Sequence, residues 1–353
     1  MISFDHVTLG QRVLFGAGAA ADNTALAVST LGAQRILLIS DAFAVEIADA
    51  ISALVNVVDR IDEVVQHVPV ANARAAVARA KASRADAVVA IGGGSATGLA
   101  KIVARDTGLP IVAVPTTFAG SEATNVWGLT EADRKTTGID DGVLPKIIVY
   151  DASLMADLPA RLAVTSGLNA VAHAIDGFWA PRADPINAAL ASEGLRILVP
   201  GLRSVHADAH DLPAREQCLY GAYLAAVAFA SAGSGMHHKI CHALGGTFGL
   251  PHAETHAVVI GYVTEYNVPF APHAARRLQD VLGSAASPAA AVASLARELG
   301  APRSLREIGF ERLAIPEAAG IILPSIPATN PRPVTQESLE SLLHAAWAGE
   351  PVR

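Results

Sequence analysis

Between Met236 and Tyr262 the chain reads MHHKICHALGGTFGLPHAETHAVVIGY, and five of its twelve histidines fall there: His237, His238, His242, His252 and His256. Imidazole takes and gives protons near neutral pH, and as a neutral ring it is a good ligand for divalent metals. His238 and His242 are four residues apart, which puts them on one face of a helix. Asn169 and His173, in SGLNAVAHAIDG, repeat that spacing. His173, His238 and His252 with a fourth oxygen ligand could hold a divalent ion, while a proton relay and plain core packing would use the same residues. Asn169 weighs against the ion, because a carboxamide brings no negative charge to offset a dication. Without a metal the imidazoles act directly, as hydrogen-bond donors and acids.

A second chemical feature lies upstream. AIGGGSATGLAK places Gly92, Gly93, Gly94 and Ser95 between an apolar run and a helical one. Glycine lets backbone amides approach a ligand closely, and a helix N-terminus offers unpaired N–H groups, so a phosphate or pyrophosphate is the natural occupant. A tight turn that binds nothing is the simpler reading. The usual GxGxxG pattern is absent; FGAGAAAD (15–22) imitates part of it but follows no strong strand–helix–strand pattern. Asp41, directly after RILLIS, could bind a ribose hydroxyl and repel a 2′-phosphate, or could cap a helix. VPTTFAGSEAT (114–124) adds Thr116, Thr117, Gly120 and Ser121 as groups able to hydrogen-bond a nucleotide.

The elements that must position these residues alternate in the first half. Strands are expected at 35–40, 86–94, 110–117 and 146–151, with a more polar candidate at 56–65, and helices at 72–85 and 96–105. Short buried runs separated by helices imply a parallel sheet covered on both faces. Beyond about residue 155 the texture turns helical: 190–208, 214–233 and 287–300 repeat apolar residues at helical spacing, and proline-rich segments near 180–186 and 324–333 connect them. The expected architecture is an α/β nucleotide-binding domain with a parallel sheet over residues 1–155, followed by an all-α substrate and catalytic domain over 156–353.

The totals narrow the partners. A net charge of −7 and the absence of any long Lys/Arg run argue against nucleic acid. Two cysteines, Cys218 and Cys241, give no disulfide framework and fit a reduced compartment. The N-terminus carries Asp5, His6 and Arg12 without a continuous apolar core, so no signal peptide is read there. No apolar run spans a bilayer uninterrupted, and a cytoplasmic protein with no membrane partner is expected.

GGGS after a strand, PTTFAGSEAT, GLNAVAHAID, HHKICHALGGTFGLPHAETHAV and the late NPRPV together resemble the maleylacetate reductases, a branch of the iron-containing alcohol dehydrogenase superfamily. The resemblance spans nearly the whole chain, and HHKICH…LPHAETH is its most specific part. It implies an NAD(P)-binding α/β domain, a helical C-terminal domain and a homodimer. It also implies that NADH or NADPH reduces the C=C bond of maleylacetate to give 3-oxoadipate, late in the bacterial breakdown of aromatic compounds. In metal-dependent relatives an aspartate and three histidines bind the ion, at positions matching Asn169, His173, His238 and His252; the first is a departure that disfavours a metal here. The resemblance assigns Gly93, Gly94 and Ser95 to the pyrophosphate, Thr116 and Thr117 to the nucleotide, Asp41 to the ribose and His242 to the neighbourhood of nicotinamide and substrate. A dicarboxylate substrate needs cationic anchors, for which Lys239 and Arg332 are candidates, with His237 and His256 weaker ones. Competing expectations are a metal-dependent alcohol dehydrogenase acting on a small carbonyl, a lyase related to dehydroquinate synthase, and a nucleotide-binding scaffold with structural histidines.

Overall fold

The structure, a computed structural model, describes residues 3–66, 68–131, 134–283 and 287–353. The chain divides into two compact units: Leu9–Leu158 with His210–Leu219, and Met1–Thr8 with Pro159–Ala209 and Tyr220–Arg353.

The first unit is built on a sheet. In chain order it runs β1 (Arg12–Phe15), α1 (Ala20–Thr30), β2 (Ile36–Ser40), α2 (Val45–Leu54), β3 (Val57–Ile61), α3 (Val70–Ala82), β4 (Ala87–Gly92), α4 (Gly94–Thr107), β5 (Ile111–Pro115), β6 (Val126–Glu131), β7 (Arg134–Ile139) and β8 (Ile147–Tyr150). Six strands form one parallel sheet in the order β1-β8-β5-β4-β2-β3. Every residue of β2, β4, β5 and β8 is buried, as expected of a parallel sheet with helices on both faces. The strand period of two sorts these side chains into two layers. Leu37, Ile39, Val88 and Ala90 pack with Ala73, Ala76, Leu99 and Val103 of α3 and α4. Ile36, Leu38, Val89 and Ile91 pack with Ala27, Val28, Ala48 and Ile51 of α1 and α2.

The connection after β2 leads toward β3 and the one after β4 toward β5, on opposite sides, so a topological switch point falls between β2 and β4. Asp41 and the glycine turn sit at the carboxyl ends of these two strands, where open α/β sheets bind their ligands. Two elements depart from the expectation. FGAGAAAD does connect a strand to a helix, β1 to α1, but both carboxylate oxygens of Asp151 accept hydrogen bonds there, from the Gly18 and Ala20 amides at 2.9 Å. The chain's own acid thus occupies that helix start. The second departure is the antiparallel β6–β7 hairpin, paired from Val126 opposite Ile139 to Glu131 opposite Arg134.

The other unit is helical: α5 (Ala160–Gly177), α6 (Pro185–Ala207), α7 (Leu212–Ala232), α8 (Met236–Phe248), α9 (His252–Asn267), α10 (Pro272–Leu282), α11 (Pro288–Glu298), α12 (Ile315–Ile322) and α13 (Gln336–Ala348). Among the described residues no strand follows β8. One apolar core joins Ile240, Leu244, Val259 and Val263 of α8 and α9 to Ile322 and Leu343 of α12 and α13. Two short segments join the unit remote from them in sequence. The start of α7 belongs to the sheet unit, where the buried Arg215 donates from Nη2 to the Ala156 carbonyl at 3.3 Å. The N-terminal segment belongs to the helical unit, held by His6 Nδ1 to Asp184 at 2.7 Å and by Ser231 Oγ donating to the Val7 carbonyl. Among the described residues no single helix is long and apolar enough to cross a membrane; α7 and α8 qualify only as a pair, and they bend by 98°.

Candidate active site

In the sheet unit, β4 ends at Gly92 with φ at +145°, a region that favours glycine. A Cβ on Gly92 would lie 2.1 Å from Asp41 Oδ2, because the carboxylate is drawn in to accept the Gly93 N–H at 2.8 Å. Burial pushes the Asp41 carboxyl up and the Gly93 hydrogen bond opposes it. Gly93 is the N-cap of α4, and it offers no side chain to its first turn. Gly94 is exposed and Ser95 half-buried, which leaves this helix start accessible to an anion. The residues therefore fit a dinucleotide diphosphate: a helix start without a side-chain cap, reached by glycines, with an acid beside it.

The loop after β5 is tied to this turn. Thr116 donates its N–H to the Gly92 carbonyl, and a Cβ on Gly93 would meet Thr117 Cγ2 at 3.1 Å. Lys101, seven residues into α4, is fully buried and donates to the Ser121 carbonyl, Thr124 Oγ1 and the Val126 carbonyl at 2.7, 3.0 and 2.8 Å. Burial lowers its pKa to about 7, against the attraction of Glu122, itself a buried acceptor of the Tyr150 hydroxyl. Lys101 thereby fixes the loop that carries Ser121. It escaped sequence reading because a lysine in an apolar helix looks like a solvent-facing residue.

In the helical unit, α5 carries Asn169 and His173, α8 carries His237, His238 and His242, and α9 carries His252 and His256. The structure brings six imidazoles together. Ring centroids are 4.9 Å apart for His173 and His238, 5.9 Å for His238 and His242, 6.0 Å for His242 and His252, and 4.5 Å for His252 and His256. His256 lies 4.9 Å from His238, and its Nδ1 shares a 2.8 Å hydrogen bond with His237 Nε2. His242 and His252 are half-buried and form the accessible part of the cluster; His173, His237, His238 and His256 are buried. Phe229 of α7 stacks on His173 and meets His238 at a tilt, with ring centroids 4.2 Å apart. Asn169 is buried one turn before His173 on α5.

Asp176 was missed by the sequence reading. It is fully buried, and its Oδ2 lies 2.7 Å from His238 Nδ1. The signal was present: Asp176 follows His173 by three residues and Asn169 by seven, on the same face of α5.

Lys239 is half-buried, and its charge is close enough to help lower the His238 pKa. Arg332 does not join the cluster. Its guanidinium stacks 4.2 Å over Tyr266, ten residues along α9 from His256, a rise of about 15 Å. His237 and His256 are poor anchors for a carboxylate, since burial keeps both rings neutral and they are engaged with each other.

Burial pushes the His237 pKa down to about 4 and those of His238 and His256 well down, with neighbouring imidazoles adding to the effect on both. An unfolded histidine titrates near 6.5. Between that value and about 4 the unfolded chain binds a proton that native His237 refuses, so stability falls as the pH drops through this window. Each such histidine should cost about 1 kcal/mol by pH 5.5. Asp176 is shifted upward by burial and offsets part of this loss above its ordinary pKa. A melting temperature that declines steadily from pH 7 to pH 5 is expected in calorimetry; a rise would contradict a neutral cluster.

Does the site fit a divalent ion? His238 alone does: Asp176 holds Nδ1, and the buried Nε2 has no hydrogen-bond partner, the usual arrangement of a metal-bound histidine. The set of Asn169, His173, His238 and His252 does not, because all four donors are neutral and three are buried. Such a set brings no charge of its own to an ion, and the Asp176 carboxylate would reach one only through the His238 ring. His237, Cys241 and His256 also bring ligand atoms within 4.8 Å of one another. There the two nitrogens are already hydrogen-bonded and burial pushes the Cys241 thiol well up, so this group is a core contact.

Known proteins give the same outline. Residues 10–152 match the family described as iron-containing alcohol dehydrogenase, and residues 163–347 match its C-terminal region. The chain is 41% identical to a maleylacetate reductase of Pseudomonas sp. strain P51 over 352 residues, 99% of each chain. A crystal structure named iron-containing alcohol dehydrogenase, from Corynebacterium glutamicum, superposes with a TM-score of 0.95 at 49% identity, covering 99% of this chain and 98% of that one. The maleylacetate reductase of Rhizobium sp. strain MTP-10005 superposes with a TM-score of 0.92 at 36% identity, covering 99% of each.

Proposed function

The chain belongs to the iron-containing alcohol dehydrogenase family and within it to the maleylacetate reductases, and we propose that it reduces the C=C bond of maleylacetate to give 3-oxoadipate with NADH or NADPH. The observation that carries this reading is the contiguous imidazole cluster on α5, α8 and α9, paired in one chain with a glycine turn suited to a dinucleotide. The nicotinamide supplies a hydride to the carbon β to the ketone. Gly92 to Ser95, Asp41, Thr116, Thr117 and Ser121 hold and orient the rest of the dinucleotide.

As the hydride arrives, electrons move onto the ketone oxygen and an enolate forms, which a hydrogen-bonding partner must hold. Asn169, His173, His238 and His252 are assigned that role. His242, half-buried within the cluster, delivers the proton to the carbon next to the ketone. One hydride and one proton are consumed for each C=C bond reduced. Lys239 anchors a substrate carboxylate. We assign no resident divalent ion, since the neutral donor set is a poor match for one. A cytoplasmic homodimer is the assembly we assign, on the family resemblance.

The purified full chain should oxidise one NADH or NADPH for each maleylacetate converted and leave simple aldehydes and ketones nearly untouched. Preferential reduction of simple carbonyls would replace this reading with an alcohol dehydrogenase. Conversion without net NADH loss would point to a lyase, and binding of NADH without turnover of any enone or ketone to a scaffold.

A further inference from the structure

Asp176 makes more contacts than a helix-packing residue needs. Besides His238 Nδ1 at 2.7 Å, its Oδ2 accepts the backbone N–H groups of Gly235 and His238 at 3.2 and 3.3 Å, and Oδ1 accepts Trp179 Nε1–H at 3.3 Å. The approach is so close that a Cβ on Gly235 would stand 2.5 Å from Oδ1. Burial raises the Asp176 pKa, and against it three N–H donors that cannot change their protonation, two backbone amides and one indole, converge on this carboxyl and favour the carboxylate. A carboxylate is a pure acceptor, so the fourth partner, His238 Nδ1, must carry a hydrogen.

A neutral imidazole has one N–H. With that hydrogen on Nδ1, the lone pair of His238 lies on Nε2, the buried nitrogen that has no hydrogen-bond partner. We infer that Asp176 is a positioning residue, which locks His238 in the Nδ1–H form and keeps a negative charge behind that ring. The consequence refines the proposed reaction, on which this inference rests. Locked this way, neutral His238 presents an acceptor rather than a donor at Nε2, so the hydrogen bonds to the enolate fall to Asn169, His173 and His252. Asp176 touches neither substrate nor nucleotide; it acts through His238.

The native full chain, labelled with ¹⁵N-histidine, tests this without substrate, the His238 signals being identified by their loss in His238→Gln. Nδ1 protonated and Nε2 bare is the expected pattern; the reverse overturns the inference. In Asp176→Asn the geometry can be kept but the charge is gone, and kcat on maleylacetate should fall by about a hundredfold to ten-thousandfold, the upper end being the loss when the carboxylate behind a triad histidine is neutralised. The KM for NADH should stay within about threefold, because the dinucleotide turn is untouched. An unchanged kcat, or a KM for NADH that rises as far as kcat falls, overturns the inference. If Asp176→Asn does not fold, the native spectrum alone decides. A chain that shows the expected spectrum yet never reduces maleylacetate would sink the reductase reading and leave the tautomer assignment standing.

Discussion

Gly92→Ala should cost the chain most of its affinity for NADH. At φ +145° an alanine is strained on its own account, and its Cβ would stand 2.1 Å from Asp41 Oδ2 and 2.9 Å from Ala96 Cβ. The carboxylate is the softer of the two neighbours and would be driven off the Gly93 N–H, which removes the support of the turn at the start of α4. A distortion worth about 2 kcal/mol corresponds to about thirtyfold in Kd. Fluorescence titration with NADH measures this directly. Gly108→Ala is the control: that glycine also has positive φ, at +76°, but nothing lies within 4 Å of its Cβ position. It should lose a little stability and no NADH affinity. Equal affinities for Gly92→Ala and the native chain would remove the glycine turn from cofactor binding.

His242→Ala should act on the other half of the reaction. Its ring lies between His238 and His252, 5.9 and 6.0 Å from their centroids, in the accessible part of the cluster. Losing a positioned proton donor lowers turnover by about a hundredfold to ten-thousandfold. The affinity for NADH should hardly change, since the residues proposed to hold the dinucleotide lie in the sheet unit. The ratio of the two effects is the informative quantity. A loss of NADH affinity as large as the loss of kcat would make His242 part of the cofactor site.

Much of this fold could be read in advance where burial imposes a pattern. RILLIS and DAVVAIGGG are continuous apolar runs because parallel strands are covered on both faces, and they became β2 and β4. The i, i+4 spacings of His238 with His242 and Asn169 with His173 survive as shared faces of α8 and α5. What stayed hidden had weaker or longer-range causes. β1 is only four residues long and lies at the sheet edge, with its end residues exposed. VWGLTE and RKTTGI alternate too little apolar surface to announce the β6–β7 hairpin. The carboxylate that governs His238 lies 62 residues away in sequence, so helix packing alone brings Asp176 to that ring. The placing of Arg332 stayed hidden for a similar reason: its neighbours Tyr266 and Phe270 offer it a cation–π surface that no local pattern reveals.

The alternation of strands and helices located a glycine turn at a strand end but could not show that two such turns exist. FGAGAAAD and AIGGGSATG both join a strand to a helix start. They differ in how much an acid takes up: Asp151 accepts two amides of the first, from Gly18 and Ala20, while at the second Asp41 accepts the Gly93 amide.

That imidazoles and one carboxamide can hold the emerging enolate without a resident ion is tested most directly by metal analysis of the anaerobically purified chain, with maleylacetate-dependent NADH oxidation measured before and after treatment with a strong chelator. Far less than one iron or zinc per chain and an unchanged rate are expected. Asn169→Asp, which supplies the missing anionic donor, should take up the ion that the native chain declines. One tightly held ion per native chain, with activity lost on chelation and restored by adding that ion back, would contradict a metal-free site.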